Sequence, residues 1–527
     1  MPTLHWIGKD KVINHHMDVP FKVLEHSYGF DNGKQTTEET KSGNKIIHGD
    51  NLEALKALLP EYEGKIKCIY IDPPYNTGNE SWVYNDNVND PKIKKWLGQV
   101  VGKESEDLSR HDKWLCMMYP RLKLLHKLLA DDGAIFISID DNEQANLKLV
   151  CDEIFGGANI VSNMIWQKRK GGGNDSFYVA VDHEYLLCYV KDKSFQKEKW
   201  RVAYEGDYLK RYKESDNDGR FYWDTLSRPG LNNPIIYDVV CPDGSVIKDG
   251  TWQVSKATFD SELENGNVSF IQNKSGGYTV VRKVRMPEGK VFRSIINDTT
   301  NKDAADEMEI LLDSKKGFST PKPTKLIDHV LQLVTNENSI ILDSFAGSGT
   351  TAHSVLQLNS KDNGNRKFIL IQVDETDKKG QPIDIAETIT AERVKRVIKG
   401  CGTIEGTGGS FDFYELGQPM FLEDGNLNEL VGIDKIRKYV YYTETKTPLT
   451  ETKHKDNKHF LGKHNDTAYY FNYEQDEVTT LDHAFLATMK TKAEQYVIYA
   501  DNCLLTKSFM TKHHIIFKKI PRDITRF

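Results

Sequence analysis

The sequence predicts an α/β fold in which a largely parallel sheet is covered by helices, with further regions attached to it. Three observations carry this expectation. Apolar strand-like runs alternate with helical-period segments from Asn44 to Arg169, the alternation lapses over 170–313, and it returns over 314–400. The chain therefore divides into an arm (1–43), one half of an α/β domain (44–169), an insertion (170–313), the other half (314–400) and a C-terminal α+β region (401–527).

The first forty residues are polar, end in DNGKQTTEETKSGN, and read as an irregular arm with short pieces of structure. NKIIHGD is a short strand ending in a turn. NLEALKALLPEY follows as a helix, with Leu52, Leu55, Leu58 and Leu59 on one side. KIKCIYIDPPY is a buried strand that runs into a loop, because Pro73 and Pro74 forbid helix there. DKWLCMMYPRLKLLHKLLADDG is an amphipathic helix from Asp112 that Pro120 should bend or divide and Gly133 should close. GAIFISIDD is a strand, NEQANLKLVCDEIFG a helix, and ANIVSNMIWQKR a strand with a basic end before the loop GGGND. The insertion is rich in aromatics and in turn signals such as RPGLNNP, CPDGS and ENGN, which suits a mixed or mainly β domain. From Thr320, PTKLIDHVLQLVTN is a helix, SIILDSFAGSGTTAHSVLQLN a strand–turn–helix, KFILIQVDE a strand and AETITAERVKRVIKG a helix. GTIEGTGGS marks the boundary of the last region.

Composition excludes some classes. Seven cysteines stand far apart, odd in number and without a C-x-x-C pair, which argues against a disulfide framework or a structural zinc site. No apolar run approaches the ~20 residues needed to span a bilayer, and the N-terminus lacks the apolar core of a secretory signal. A cytoplasmic setting with no membrane contact fits best. The net charge of −7 neither supports nor excludes nucleic acid, since phosphate contacts need only a local basic surface.

Two motifs carry chemistry. Asp72-Pro73-Pro74-Tyr75 follows a buried strand, where ligands of open α/β sheets bind. A carboxylate and a fixed backbone carbonyl can together hold an exocyclic amine of a base so that its lone pair faces an electrophile. Tyr75 offers a ring for an extruded base. The bland alternative is a Pro-Pro turn with a solvated Asp72. The second motif, Asp343 to Thr351 (DSFAGSGTT), lies between a strand and a helix. Gly347 and Gly349 allow close backbone approach to a ligand. GSGTTA also satisfies the dinucleotide pattern G-x-G-x-x-A, so by itself it suits a nicotinamide cofactor as well as S-adenosylmethionine. The missing Lys after the second Gly excludes a P-loop.

DPPY followed much later by FAGSGT, with an aromatic insertion between them, resembles the β-class amino-methyltransferases of DNA, and most of all the modification (Mod) subunits of type III restriction–modification systems. The resemblance runs over nearly the whole chain. It implies a circularly permuted, Rossmann-like S-adenosylmethionine-dependent sheet with an inserted target-recognition domain, methylating adenine N6 in double-stranded DNA without a metal. It also implies a homodimer and an ATP-dependent restriction (Res) partner. Asp72 to Tyr75 would form the catalytic loop. Phe345, Gly347 and Gly349 would cradle the cofactor's methionine part beside Asp343, with Thr350 or Thr351 near its carboxylate. Pro321, Lys322 and Pro323 match the segment that closes over the cofactor, unless they only start a helix. Asp50 matches the position reading the cofactor's adenine, with a helix N-cap as the alternative. Many relatives hold the ribose with an acidic residue where this chain has Gln372, a weaker, uncharged partner. Trp166, Lys168, Arg169 and Lys170 would approach the DNA, or form a solvated basic strand end. The insertion's aromatics (Tyr204, Tyr208, Tyr212, Phe221, Tyr222, Trp223) suit a core better than base-stacking platforms, and the C-terminal region suits a dimer interface or a folded cap equally. DPPY also fits cytosine N4, and a DNA-binding subunit without catalysis is a further alternative.

Overall fold

The computed structural model describes residues 3–77, 106–171, 176–204, 206–227, 235–273, 276–312, 318, 320–376, 382–402, 404–449, 456–475 and 477–526, in part without side chains. The loop expected after Lys170, the RPGLNNP turn and the boundary at 313–314 fall outside them. Two compact units emerge, one of Met1–Lys199 with Arg293–Phe527 and a second of Trp200–Phe292.

The first unit is built on an eleven-stranded sheet. Its strands are β1 (Lys22–Asp31), β2 (Lys34–Thr36), β3 (Lys45–His48), β4 (Ile66–Ile71), β5 (Leu129–Ile139), β6 (Ile160–Gln167), β7 (His183–Val190), β8 (Ile295–Ile296), β9 (Ile340–Asp343), β10 (Lys367–Gln372) and β11 (Ser410–Pro419). Their spatial order is β8-β6-β7-β5-β4-β9-β10-β3-β11-β1-β2. The six central strands, β5 to β11 in that order, are all parallel. β4 and β10 are buried on both faces, as a doubly covered parallel sheet requires. The covering helices are α1 (Asn51–Tyr62), α2 (Glu106–Leu128), α3 (Gln144–Cys151), α4 (Asn301–Leu312), α5 (Thr324–Val334), α6 (Thr350–Asp362) and α7 (Glu392–Lys399). α1 packs on α2, while α5, α6 and α7 pack in succession.

Topology locates the site. From β4 the chain moves to β5 on one side; from β9 it moves to β10 on the other. Strand order therefore reverses between β4 and β9, the point at which an open α/β sheet leaves a crevice beyond its carboxyl ends.

Three local expectations are corrected. The arm is not irregular throughout, because Lys22–Asp31 forms the ten-residue strand β1, antiparallel to β11 from Lys22↔Pro419 to Asp31↔Ser410. The adjacent β2 pairs only with its last three residues, and the distant β11 pairs along its whole length, so the local sequence does not announce most of it. Pro120 does not divide α2. Trp114, Met117, Met118, Leu122, Leu124, Leu125 and Leu128 are at most 1% exposed, and this packing outweighs the ~3 kcal/mol that an internal proline costs. Arg121 Nη1 also donates to the Met117 carbonyl at 2.7 Å in the disturbed turn. Gly133 does not close the helix but lies inside β5, where a Cβ would come within 2.8 Å of the Ile66 carbonyl oxygen.

β11, just past the Gly-rich boundary, joins the main sheet. The chain then adds a helix, α8 (Ile433–Thr445), and a four-stranded sheet of Phe460–His464, Thr467–Phe471, Gln495–Ala500 and Ile515–Lys519. The Tyr-rich composition is spent on their core, where Tyr439, Tyr499 and Phe471 are almost wholly buried. No described helix is long and apolar enough to cross a membrane.

The second unit is mainly β, with a four-stranded sheet, a hairpin (Ile235–Val240 with Val246–Trp252) and one nine-residue helix (Lys256–Glu264) around Leu226, Val239, Trp252, Phe259, Val268 and Val280. Tyr212 and Phe221 are buried within it. Tyr204 and Tyr208 stack on each other with centroids 4.0 Å apart, so these aromatics pack chiefly among themselves.

Truncating a fully buried residue of the central sheet should cost far more than truncating an exposed one. Ile69→Ala, at 0% exposure in β4, should destabilise the fold by roughly 2–5 kcal/mol. Val240→Ala, at 64% exposure, should change it by no more than about 0.5 kcal/mol. Urea unfolding followed by circular dichroism distinguishes the two.

Candidate active site

Four parallel strands end side by side at the crevice, and each delivers a residue or motif singled out in the sequence. β4 ends at Asp72, β9 at Asp343, β10 at Gln372 and β3 just before Asp50. Register makes DPPY and the Gly-rich turn neighbours, since Ile341 pairs with Cys68 and Leu342 with Ile69.

The DPPY loop is held on every side. Lys322, only 8% exposed, places Nζ 2.7 Å from Asp72 Oδ2. The Tyr75 hydroxyl lies 2.8 Å from Asp72 Oδ1 and 3.0 Å from Glu184 Oε2, two acceptors for its single proton. Glu184 is also 3.5 Å from Lys322 and 3.3 Å from Lys168, so two carboxylates face two ammonium groups in one buried cluster. Burial pushes the Asp72 carboxyl above its ordinary range, and the charge of Lys322 opposes that shift. Burial disfavours the Lys322 ammonium, but Asp72 and Glu184 outweigh it and hold the group charged. Burial and the same two carboxylates keep the Tyr75 phenol protonated as a donor. Lys322 Nζ also lies 5.0 Å from the Tyr75 ring centroid and 5.9 Å from that of Trp166. The Trp114 indole donates to the Pro74 carbonyl at 2.7 Å. Asn76, left-handed at φ 59°, donates through its side chain to the fully buried Glu143, which also meets His111 at 2.6 Å.

The Gly-rich turn is equally determined. Asp343 accepts from the Phe345 N–H at 3.1 Å and the Thr351 hydroxyl at 2.5 Å, and burial raises its carboxyl to about 7. Gly347 (φ 50°) and Gly349 (φ 78°) adopt left-handed backbone that a side chain would strain. A Cβ on Gly347 would fall 2.9 Å from the Phe318 ring, and one on Gly349 3.1 Å from the Thr390 carbonyl oxygen. The Thr350 hydroxyl donates to the Lys322 carbonyl at 3.0 Å, tying the turn to the Pro321-Lys322-Pro323 segment, and Pro323 caps α5. Behind the turn, the wholly buried Arg393 donates to Ser348 (3.0 Å) and Thr350 (2.9 Å) and pairs with Glu307 (3.2 Å).

Other expected residues take less direct places. Gln372 accepts from the Gly347 N–H at 2.6 Å and donates to the Val373 carbonyl at 2.9 Å, so its amide holds the turn instead of facing a hydroxyl. Asp374 beyond it meets His48 Nε2 at 2.8 Å, while Glu415 takes Nδ1 at 2.8 Å. Asp50 caps α1, accepting from Leu52 and Glu53, and lies 3.3 Å from Arg121. Trp166 is 1% exposed and donates to the Thr299 carbonyl at 2.8 Å, which makes it a wall behind Lys322 and not a surface contact. Lys168 turns inward to Glu184, whereas Arg169 and Lys170 are exposed. Sequence reasoning missed Glu184, Trp114, Glu143 and Arg393. Glu184 sits at the start of the run HEYLLCYV, where a lone acid reads as a solvated strand end.

A family model described as DNA methylase matches residues 66–445. The type III restriction-modification enzyme StyLTI Mod subunit of Salmonella typhimurium is 35% identical over 385 residues, covering 68% of this chain and 58% of that protein. The type III EcoPI Mod subunit of Escherichia phage P1 is 31% identical over 469 residues, covering 78% and 70%. The type II methyltransferase M.KpnI of Klebsiella pneumoniae is 31% identical over 383 residues, covering 66% and 85%. The chain thus spans 58% of the length of the first of these relatives. Because the family match extends over residues 66–445, well over half of the chain, and takes in both loops that meet where strand order reverses, the chain belongs to the DNA methylase family.

Proposed function

We propose that the chain transfers a methyl group from S-adenosylmethionine to adenine N6 in double-stranded DNA, as the modification subunit of a type III restriction–modification system. One observation carries this reading: Asp72-Pro73-Pro74-Tyr75 and the Gly-rich turn sit at the ends of adjacent strands, β4 and β9, at the reversal of strand order. The likeness to Mod subunits and to M.KpnI supports it.

The turn fits the cofactor. Its left-handed glycines hold a tight bend that a side chain would strain, and the Ser344 hydroxyl is buried without a partner among the described residues. A nicotinamide reading keeps the glycines but leaves DPPY idle. Phe345, Gly347, Gly349 and Thr350 would hold the methionine part, with Asp343, Pro321, Lys322 and Asp50 around them. When bound, S-adenosylmethionine supplies an electrophilic methyl group. The chain's own task is to present the nucleophile. Asp72 accepts one N–H of the adenine amine, and the Pro73 carbonyl is assigned the other, since Trp114 already engages Pro74. Tyr75 stacks on the extruded base with its hydroxyl fixed by Asp72 and Glu184. Lys322 keeps Asp72 ionised, and it must yield or share the carboxylate when the amine arrives. Arg169 and Lys170 supply phosphate contacts. The second unit would read sequence, a second copy of the chain would complete the assembly in the cytoplasm, and an ATP-dependent restriction subunit would be its partner.

Incubation with labelled S-adenosylmethionine and DNA lacking adenine methylation, followed by mass spectrometry of nucleosides, should yield N6-methyladenine. Asp72→Ala should lower the rate at least ~100-fold. N4-methylcytosine would overturn the base assignment, and cofactor-free, DNA-bound protein without product would favour a binding-only subunit. The pH profile tests the ion pair. Only ionised Asp72 accepts the amine, so transfer should rise with pH along a carboxylate limb. Lys322→Met removes the charge that opposes burial and should move that limb to higher pH, measured as single-turnover rates from about pH 5 to about pH 9. A limb that stays put would show that Lys322 does not set the ionisation of Asp72.

A further inference from the structure

Among the described residues, the two most exposed large apolar side chains are neighbours: Phe177 and Tyr178, each 90% exposed, followed by Val179 at 78%. They lie on the connection from β6 to β7, and their rings meet edge-on with centroids 4.8 Å apart. That connection has a fixed root. β6 and β7 are antiparallel, with Gln167 opposite His183 and Trp166 opposite Glu184. Arg169 Nε closes the root on Asp182 Oδ1 at 2.6 Å. The connection therefore leaves and rejoins the sheet within two residues of Glu184, the carboxylate that holds the Tyr75 hydroxyl. Lys168, Arg169 and Lys170 stand at its start.

Two adjacent exposed aromatics carry a standing solvation cost, and contiguous apolar surface of this kind marks a contact site. The surroundings indicate the occupant. The exposed Arg169 and Lys170 complement phosphates, and aromatic faces stack on any base. The root of the connection borders the loop assigned to the extruded base, through Glu184 and Tyr75. We propose that Phe177 and Tyr178 form a wedge that enters the base stack of duplex DNA beside the target and fills the space its base vacates. This rests on the reading of the chain as a DNA methyltransferase. A wedge of this kind offsets the loss of stacking and pairing that extrusion entails.

The test uses the full chain, a duplex carrying its site, mapped from methylated products or, where there are none, from the duplexes it selects on binding, and the same duplex with an abasic position opposite the target adenine. Phe177→Ala/Tyr178→Ala should transfer methyl groups at least ~10-fold more slowly than the parent on the paired duplex, and within about twofold of it on the unpaired one, where extrusion costs less. A duplex with 2-aminopurine at the target, a base with no N6 amine to methylate, should brighten on binding the parent and less on binding the variant, and so reads extrusion apart from transfer. Equal rates and equal brightening would overturn the wedge alone. Equal losses on both duplexes would assign the pair to general binding or folding instead. A change of oligomeric state by light scattering, with transfer intact, would make the patch a contact between copies. A parent that transfers no methyl group yet brightens the probe would sink the catalytic reading and keep the wedge; one that does neither would sink both.

Discussion

A carboxylate buried at the end of β4 needs a cation, and Lys322 supplies it from a position 250 residues further along the chain. Neither group would be tolerated alone in that setting, because an unpaired buried charge is strongly destabilising. Together with Glu184, Lys168 and Tyr75 they form a closed set in which each charge has a counterpart. The members come from β4, β7, the end of β6 and the segment before α5, so the cluster exists only when both halves of the sheet are assembled. The same constraint couples the DPPY loop to the Gly-rich turn, since Lys322 gives its ammonium to Asp72 and its carbonyl to Thr350.

The parallel sheet makes that assembly possible. Asp50, Asp72, Asp343 and Gln372 are dispersed over more than three hundred residues, yet they end four adjacent strands. Side chains behind the loops then set their shape. Gln372 grips the Gly347 N–H, Arg393 braces Ser348 and Thr350, Glu143 holds Asn76, and Trp114 fixes the Pro74 carbonyl. On the proposed reading the loops must hold an amine to within ~0.5 Å, and such support serves that end, because orientation supplies much of a catalytic effect.

The edges of the sheet follow a different logic. β1, antiparallel to β11, extends the sheet beyond the parallel core, and the C-terminal helix and sheet cover their own aromatic core. The second unit has a core of its own, with apolar residues from its hairpin, helix and four-stranded sheet.

By itself the sequence determined the alternation of strands and helices, the existence and type of most central elements, and the two motifs that carry chemistry. These are local signals: apolar period, proline and glycine placement, and the residue types that a reaction needs. Tertiary structure decided what those signals cannot contain. β1 is a strand because β11 pairs with it, α2 runs through Pro120 because its neighbours bury it, and Gly133 lies in a strand because its carbonyl accepts from the Lys191 N–H beside it at 3.0 Å. It also tied Gln372 to the Gly-rich turn, buried Trp166 behind Lys322, and drew Glu184 into the site. The physical reason is common to all of these. A backbone pattern depends on the nearest few residues, whereas a buried charge, a packed ring or a donor without a partner is settled by whatever the fold brings against it, often hundreds of residues away.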